Sequence, residues 1–368
     1  MSEAASVIVG GGLAGSAFAI ELARYGRHTI VLEKTGGPHH KVCGEFLSAE
    51  AQELLARLGI DVWEMGAAPA CNLSLEFGGY RKAFGLPFRG AGLSRFRLDQ
   101  LLLDAAARCG AEVIRGATVT KLEYDERSAV VHTANERLAA SRVALASGKH
   151  NLRGLQRPQA PTVAFKMQLR PSGTGVALLE HLVHLSMFAG GYAGVCLVEG
   201  GIATICWVIE RDRLLDSASA GWPTHAAFLS ERSSFFATLL SEATALWEKP
   251  VAIAAIPYGY LREEVISDVV YPMGDQLVVI PSYTGGGTSL ALHTGLTAAR
   301  AVLNDRSASE FQKQTIATLK PQIAWAKLAN IAFVNAPAQR LTAAVARLVP
   351  WALPQVSTFV VKMTRLRN

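Results

Sequence analysis

The chain begins with an apolar run, a helical pattern and a second apolar run. Val7, Ile8 and Val9 are consecutive apolar residues that predict a buried strand. The alanine- and leucine-rich stretch 16–24 predicts a helix, and residues 29–33 predict a second strand. A strand, a helix and a strand in this order predict a βαβ unit with two parallel strands.

Residues 42–146 continue with helices and short strands. A helix is predicted over 48–58 and another over 94–108, each opened by a serine that can cap it. Residues 69–93, which lie between them, alternate apolar and polar positions and predict antiparallel strands. Further strands are predicted over 112–114, 118–123, 130–132 and 142–146.

Long apolar strands separated by glycine turns dominate residues 162–209. The predicted strands are 164–169, 184–188, 194–198 and 202–209. Several strands with one buried face would form a large sheet that roofs a pocket. Later elements are predicted as helices over 224–229 and 235–246, a strand over 276–280, a helix from 288 to 303, and helices from about 307 onward.

The composition indicates a chain with an ample hydrophobic core. At 368 residues, with 50% hydrophobic and 18% charged residues, two joined domains are expected and long disorder is not. The formal net charge is +6, but no aromatic–basic stripe marks a nucleic-acid site. We therefore interpret the charge as favouring solubility and anionic cofactors, and expect no nucleic-acid partner.

The cysteines indicate a reducing environment and no metal. They are odd in number and far apart, without a C-x-x-C pair: Cys43, Cys71, Cys109, Cys196 and Cys206. This pattern argues against a disulfide framework and against a zinc site. We expect a cytoplasmic protein.

No targeting or membrane-spanning segment is expected. The first strand begins at Ser6, which leaves no room for a signal peptide, and no apolar run reaches the roughly 18 residues of a spanning helix. The C-terminal segment 340–367 interleaves basic and apolar residues. It is interpreted either as a cover for an apolar pocket or as a helix in peripheral contact with a membrane.

Three glycines with defined spacing join the first strand to the first helix. Gly10 permits the tight turn, Gly12 lets the backbone approach a pyrophosphate, and Gly15 lets the helix pack on the strand. A pyrophosphate would lie at the helix N-terminus, where free N–H groups and the helix dipole favour negative charge. Glu33 ends the second strand, the usual place for a carboxylate that accepts from a ribose hydroxyl. The opening therefore predicts dinucleotide binding.

Two later strand-to-helix joints extend this pattern. One strand ends at Ser147-Gly148, and Gly274-Asp275 is followed by the glycine run 285–287 at a helix start. Together with the first turn, these motifs resemble the FAD-dependent oxidoreductases of the p-hydroxybenzoate hydroxylase and geranylgeranyl reductase superfamily. The resemblance extends from residue 6 to about residue 303.

The resemblance implies an α/β fold with a Rossmann-type FAD-binding domain, an interleaved antiparallel β-sheet substrate domain and a helical C-terminal segment. The FAD-binding domain would be discontinuous, formed by 1–70, 94–160 and 265–305. The substrate domain would comprise 71–93 and 161–264, and the helical segment 306–368.

The resemblance also implies a set of cofactor-binding residues. They are Gly10, Gly12, Leu13, Ala14, Gly15, Glu33, Lys34, Cys43, Arg95, Gly148, Gly274, Asp275, Gly286, Gly287 and Thr288. Arg95 would contact the flavin side of the cofactor, and Asp275 would accept from the ribityl chain. Backbone N–H groups of Gly287 and Thr288, at a helix start, would face the flavin O2 edge and stabilise the anionic reduced ring.

Two residues are candidates for catalysis. Cys43 lies in Lys41-Val-Cys43-Gly44-Glu45-Phe-Leu47, which resembles a segment beside the flavin in the geranylgeranyl reductase branch. Cys43 could face the active site, with Lys41 as an activating cation, or be a buried inert cysteine. Tyr192 lies in a glycine-rich stretch similar to one near the flavin, and could equally be a core tyrosine.

The implied function is that of an FAD-dependent oxidoreductase acting on an apolar aromatic, polyketide-like or isoprenoid secondary metabolite. Halogenase and isoprenoid-reductase signatures are missing around Trp207, and Ser147-Gly148 replaces a pair associated with NAD(P)H. Any NAD(P)H would therefore bind transiently as reductant. An O2-dependent monooxygenase is preferred to a reductase that moves hydride at a carbon–carbon bond, and a flavin electron carrier at a membrane surface is a third hypothesis.

Overall fold

The computed structural model describes residues 6–213 and 221–348 of the chain. Its strands are β1 (Ser6–Val9), β2 (Thr29–Glu33), β3 (Phe46–Leu47), β4 (Ala68–Phe77), β5 (Tyr80–Gly92), β6 (Glu112–Arg115), β7 (Val119–Tyr124), β8 (Ala129–Thr133), β9 (Arg137–Ala140), β10 (Arg142–Leu145), β11 (Thr162–Arg170), β12 (His181–Phe188), β13 (Gly191–Val198), β14 (Ile202–Glu210), β15 (Thr244–Ala245), β16 (Val251–Ala254), β17 (Tyr260–Leu261), β18 (Val270–Pro272) and β19 (Val278–Val279). Its α-helices are α1 (Leu13–Arg24), α2 (Ala49–Arg57), α3 (Arg95–Arg108), α4 (Gly173–Leu179), α5 (Trp222–Arg232), α6 (Ser234–Leu240), α7 (Gly287–Leu303), α8 (Ala308–Val334) and α9 (Ala336–Leu348).

A five-stranded parallel sheet forms the centre of the first layer. Its strand order is β18-β10-β1-β2-β6, and every pairing is parallel. Because side chains alternate across a strand, Ile8 packs with helices α1, α3 and α7, while Val7 and Val9 face the meander β7-β8-β9. The α/β fold with a parallel sheet, predicted from the sequence, is confirmed.

A nine-stranded sheet forms the second layer. Its order is β15-β11-β14-β13-β12-β4-β5-β3, with β16 also paired to β11. The β4–β12 pairing is parallel and the other pairings are antiparallel. Leu229, Phe236 and Leu239 of α5 and α6 pack on one face, and the opposite face meets Tyr283. The strand β3 belongs to this sheet although it lies inside predicted range 1–70; the domain boundaries themselves stay a prediction.

Helices α1 and α7 cross at a very close approach. A Cβ on Gly295 would lie 2.3 Å from the carbonyl oxygen of Ala14, and one on Gly274 would lie 3.2 Å from the Ala14 side chain. Only glycine fits at the Gly295 contact, since real Cβ atoms do not come so near to backbone oxygen. The crossing fixes the start of α7 relative to the glycine turn at the start of α1.

Several element predictions are corrected. The helix predicted over 235–246 ends at Leu240, because Thr244 and Ala245 pair with the edge of β11 instead. The strand predicted over 276–280 shortens to β19, since residues 274–276 form a 3₁₀ turn. Strand β9 and helix α4 were not predicted. No helix in the described ranges is long and apolar enough to cross a membrane. Of the predicted segment 340–367, residues beyond 348 lie outside the described part.

Candidate active site

The glycine turn between β1 and α1 is built for close backbone approach. A Cβ at Gly10, whose φ is +105°, would lie 2.6 Å from the Ala146 carbonyl oxygen, and one at Gly15 would lie 2.0 Å from the Gly10 carbonyl oxygen. At Gly12 the nearest atoms are instead two cationic nitrogens, Lys41 Nζ at 3.7 Å and Arg95 Nη2 at 3.8 Å. Helix α1 begins at Leu13 and Ala14 without a capping side chain among the described residues. Open space, positive charge and free N–H groups together suit a phosphate.

Glu33 is held against this turn rather than pointing freely outward. Its Oε2 accepts from the backbone N–H of Gly11 at 2.9 Å, and its Oε1 accepts from both the N–H and the hydroxyl of Thr35. Burial raises the pKa of the Glu33 carboxyl, but Lys41 and these donors outweigh it and hold the pKa below its usual value. One lone pair of Oε2 remains for a ribose hydroxyl. The predicted ribose contact stays a prediction.

A cationic cluster of Lys41, Arg95 and Asp99 lies beside Gly12. Arg95 donates to Asp99 through Nε at 2.6 Å and Nη2 at 2.9 Å, and Lys41 Nζ lies 2.7 Å from the same carboxylate. Burial opposes the charge on Asp99, but the two cations lower the pKa of Asp99 to about 2. With two positive charges and one negative, the cluster keeps a net positive charge next to the turn. Arg95 therefore lies between Gly12 and Cys43, and its predicted contact with the flavin side stays a prediction.

The segment around Gly148 and the segment around Gly274 are joined by hydrogen bonds. Lys34 Nζ lies 2.8 Å from His150 Nε2, and the carbonyl of Gly148 accepts from Gln276 at 2.8 Å. The Gly274 N–H donates to the Thr294 hydroxyl of α7 at 2.9 Å. Asp275 is half-buried, and its backbone carbonyl, rather than its carboxylate, accepts from Arg157. The Asp275 carboxylate is thus left available for the predicted ribityl contact.

The start of α7 offers a second uncapped helix N-terminus. Gly285 has a φ of +69°, which glycine adopts readily, and turns the chain into the helix after Gly286. In the part of the chain that the structure describes, no side chain caps this end. A Cβ on Gly287 would meet no atom within 4 Å, whereas Thr288 is buried as the second helical residue. A side chain at position 287 would therefore point into open space.

The Cys43–Gly44 segment lies between the two layers. The Cys43 thiol accepts from the Glu45 N–H at 3.4 Å and lies in hydrogen-bonding reach of the Arg95 guanidinium. Arg95 and Lys41 both bind Asp99, and the activation of Cys43 by Lys41 stays a prediction. Gly44 lines a neighbouring cavity.

That cavity lies between the large sheet and the start of α7. It has a volume of about 140 Å³ and mostly apolar walls. The sheet contributes Phe46, Leu73, Val183, Leu185, Tyr192, Cys196 and Cys206, and the other wall is formed by residues 282–286 and Ser289. Cys43 is not among the lining residues. An apolar cavity next to free N–H groups is typical of a small-molecule site.

Hydroxyl groups cluster at one wall of the cavity. Tyr192 is 4% exposed, and its hydroxyl makes no hydrogen bond to the described residues. Tyr258 and Ser282 hydroxyls, 2.9 Å apart, lie near it. Burial raises the pKa of Tyr192 well above its usual value, so the hydroxyl is protonated at neutral pH. Burial also raises the pKa of the Cys206 thiol to about 12.

The sequence did not predict the buried polar groups that pack beside this site. The carboxylate of Glu45 is buried and hydrogen-bonded by Lys166 from β11 and Thr204 from β14. The available signal was the presence of Lys166 and Gln168 inside the apolar run of β11. Tyr258 and Lys149 carry no local pattern that would place them near Cys206.

The described residues fit a bound FAD. The described residues supply two uncapped helix N-termini and a glycine turn beside two cations, and the loop that leads into α7 lines the cavity. The residues that would hold the group are those of the glycine turn, the cationic cluster, Asp275 and the start of α7. The individual contacts stay predictions.

Comparison with known proteins identifies a matching FAD-binding family and several similar proteins. Residues 3–144 match the family described as FAD binding domain. The menaquinone reductase of Mycolicibacterium smegmatis is 26% identical over 323 residues, covering 80% of this chain and 75% of that protein. The menaquinone reductases of Mycobacterium tuberculosis are 32% identical over 130 residues, so the match spans 34% of this chain and only 32% of their length. A tryptophan 2-halogenase of Chondromyces crocatus is 24% identical over 341 residues, covering 80% of this chain and 60% of that protein.

Solved structures with the same fold are flavin-dependent enzymes. The flavin-dependent brominase Bmp2 superposes with a TM-score of 0.77 at 16% identity, covering 99% of this chain and 94% of that one. The halogenase PltM in complex with phloroglucinol and FAD gives a TM-score of 0.75 at 15% identity, covering 98% and 82%. At such identities the likeness shows the fold alone.

The fold and the matched domain define a flavoprotein with FAD as its cofactor. Residues 3–144 therefore match an FAD binding domain, and over most of its length the chain resembles FAD-dependent oxidoreductases of the p-hydroxybenzoate hydroxylase-like superfamily. The resemblance drawn from the three joints is thereby confirmed.

Proposed function

We propose that this chain reduces an apolar, oxygen-bearing small molecule in the cavity in front of α7. The observation that carries the proposal is the Tyr192 hydroxyl, which lines the cavity, lies near the Tyr258 and Ser282 hydroxyls, and forms no hydrogen bond of good geometry with any described residue. A buried hydroxyl without a partner costs free energy, and a substrate oxygen at the cavity wall would remove that cost.

The size of the cavity limits the reacting part of the substrate. An apolar cavity of about 150 Å³ holds one benzene-sized ring, and this one measures about 140 Å³. A single ring or one isoprene unit fits within it, and a longer tail would extend through its mouth. Apolar aromatic and isoprenoid molecules both meet this requirement.

The residues at the wall supply a proton to the reaction. FAD, when bound, supplies two-electron redox chemistry. A double bond that accepts a hydride at one end needs a proton at the other, so the product gains two hydrogens while the cofactor is oxidised. The neutral Tyr192 hydroxyl can donate that proton, and the Tyr258–Ser282 pair lies close enough to return one. We propose a transiently bound nicotinamide, NADPH or NADH, as the electron donor.

The relative named menaquinone reductase supports a reduction over the oxygen insertion that the sequence favoured. Its match covers most of both chains. Oxygen insertion into the same class of substrate remains the second candidate, supported by the mostly apolar walls of the cavity.

Turnover measured with and without dioxygen separates these two reactions. The FAD-loaded protein, with its flavin reduced, is mixed with an isoprenoid quinone or a phenol. One sample contains isotopically labelled dioxygen and the other contains none. The mass of the product is then measured by mass spectrometry. A gain of two hydrogens without oxygen supports the reductase, whereas incorporation of labelled oxygen contradicts it and supports the monooxygenase.

Tyr192→Phe tests the proton donor. We expect turnover to fall at least about a hundredfold, the usual contribution of a positioned acid. Tyr271→Phe is the matched control, because Tyr271 is also buried but donates to the Arg306 carbonyl, away from the cavity. Equal turnover in the two variants would contradict the assigned role of Tyr192.

A further inference from the structure

Glu45 is a buried carboxylate in a strained backbone position. The residue has a φ of +61°, which non-glycine residues rarely adopt, and it is 1% exposed. Such a position persists only where the surroundings hold it in place. The left-handed turn directs the Cys43–Gly44 backbone toward the cofactor side and the Glu45 side chain toward the large sheet.

Three side chains of the large sheet converge on the Glu45 carboxylate. Lys166 donates to Oε1 and is itself fully buried, while Thr204 donates to Oε2 at 2.6 Å. Gln168 also donates to Oε2, at 3.2 Å. We call Glu45, Lys166, Gln168 and Thr204 the Glu45 cluster.

The same residue is also bonded to the N-terminus of α3. The Arg95 N–H donates to Glu45 Oε1 at 2.7 Å, and the Leu93 N–H donates to the Glu45 carbonyl at 3.0 Å. Arg95 in turn holds Asp99 and lies beside Gly12. One carboxylate thus joins the sheet behind the cavity, the Cys43–Gly44 segment and the cationic cluster at the glycine turn.

We propose that Glu45 is a positioning residue, held by the large sheet so that the Cys43–Gly44 backbone and Arg95 are fixed against FAD. The proposal rests on the FAD site described above and assigns Glu45 a role in shaping it. A buried ion pair is a poor source of stability but a strong constraint on geometry, because breaking it leaves an unpaired charge. The carboxylate of Glu45 has four partners, Lys166, Gln168, Thr204 and the Arg95 N–H, which connect the large sheet to helix α3.

The test compares three variants of the full chain. Glu45→Gln removes the charge and leaves Lys166 unpaired, and Glu45→Gln combined with Lys166→Met removes both charges, so that folding is preserved. Glu76→Gln is the control, because Glu76 also joins the large sheet to another element, through Ser233 and His184, at a distance from the cofactor side.

We measure the FAD dissociation constant and the flavin reduction potential. In the double variant, at a melting temperature near that of the original chain, FAD affinity is expected to fall at least about tenfold and the potential to shift. Glu76→Gln should leave both unchanged. Original values in a folded double variant would overturn the proposal and leave the FAD assignment intact.

Hydrogen exchange gives a readout that does not depend on FAD. In the cofactor-free chain, the Leu93 and Arg95 amides should exchange at least about tenfold faster in Glu45→Gln than in Glu76→Gln. Equal protection in the two variants would overturn the positioning role. A failure of the original chain to bind FAD would instead contradict the cofactor assignment, and this exchange comparison would still decide the role of Glu45.

Discussion

At the scale of single residues, Asp99 decides the electrostatics of the phosphate side. Its carboxylate pairs with both Arg95 and Lys41, and its side chain is 11% exposed. The pKa of Asp99, lowered from 3.8 to about 2, means that the folded state binds its proton less tightly than the unfolded chain. The stabilisation is therefore present above about pH 4 and lost as the pH falls toward 2.

Asp99→Asn should remove this pH dependence. We expect a loss of about 2 kcal/mol in the free energy of unfolding near neutral pH, since the two cations lose their shared partner. Urea unfolding from about pH 6 to pH 3 measures it: the original chain loses stability below about pH 4, and the variant changes less. Glu123→Gln, which breaks an exposed pair with Lys121, is the control. A variant with the same acid profile as the original chain would contradict the role of Asp99.

The sequence predicts individual residues where a motif is local. Arg95 and Asp99 are four residues apart in one helix, so their contact follows from the motif. Glu45 and Lys166 are 121 positions apart, and no periodicity links them. Their pairing, and the turn of Arg95 toward Gly12, depend on how two sheets pack.

At the scale of elements, different glycines of the β1–α1 turn serve folding and cofactor binding. A Cβ at Gly12 would make only ordinary contacts in the cofactor-free chain, whereas a Cβ at Gly15 would lie 2.0 Å from the Gly10 carbonyl oxygen. Gly12 also has an extended backbone, with φ of −80° and ψ of −167°, that alanine tolerates.

Gly12→Ala should therefore fold and bind FAD poorly. We expect its stability without FAD to stay within about 0.5 kcal/mol and its FAD affinity to fall at least about tenfold, because the methyl group occupies the phosphate position. Calorimetric titration and thermal unfolding check both values. Gly15→Ala should lose stability as well, and Gly36→Ala, with no atom within 4 Å of its Cβ, should lose neither. Normal FAD affinity in Gly12→Ala would contradict the predicted phosphate site.

Elements with a strong local pattern were predicted, and those defined by distant partners were not. The βαβ opening and α7 follow from hydrophobic periodicity and glycine position. The edge strand β15 exists because Ala245 pairs with Leu169 of β11, a contact that no local window contains. Helical propensity in residues 241–246 yields to that pairing.

At the scale of the whole molecule, the cavity forms where the large sheet faces the loop that precedes α7. Residues of β13 and β14 form one wall, and the loop before α7 forms the other. The sequence predicted a sheet that roofs a pocket, but the depth of the pocket and the hydroxyl cluster around Tyr192 depend on the crossing of α1 and α7 at Gly295. Such a long-range arrangement leaves no signature in a single sequence.

The central claim is that one FAD lies along a path from the glycine turn to the start of α7, with its reactive ring at the Tyr192 cavity. A crystal structure of the FAD-loaded chain tests this claim most directly. We expect the pyrophosphate at Gly12 and the ring beside Gly286, Gly287 and the cavity. Density for a ring that lies away from the cavity, or a chain that takes up no FAD, would contradict it.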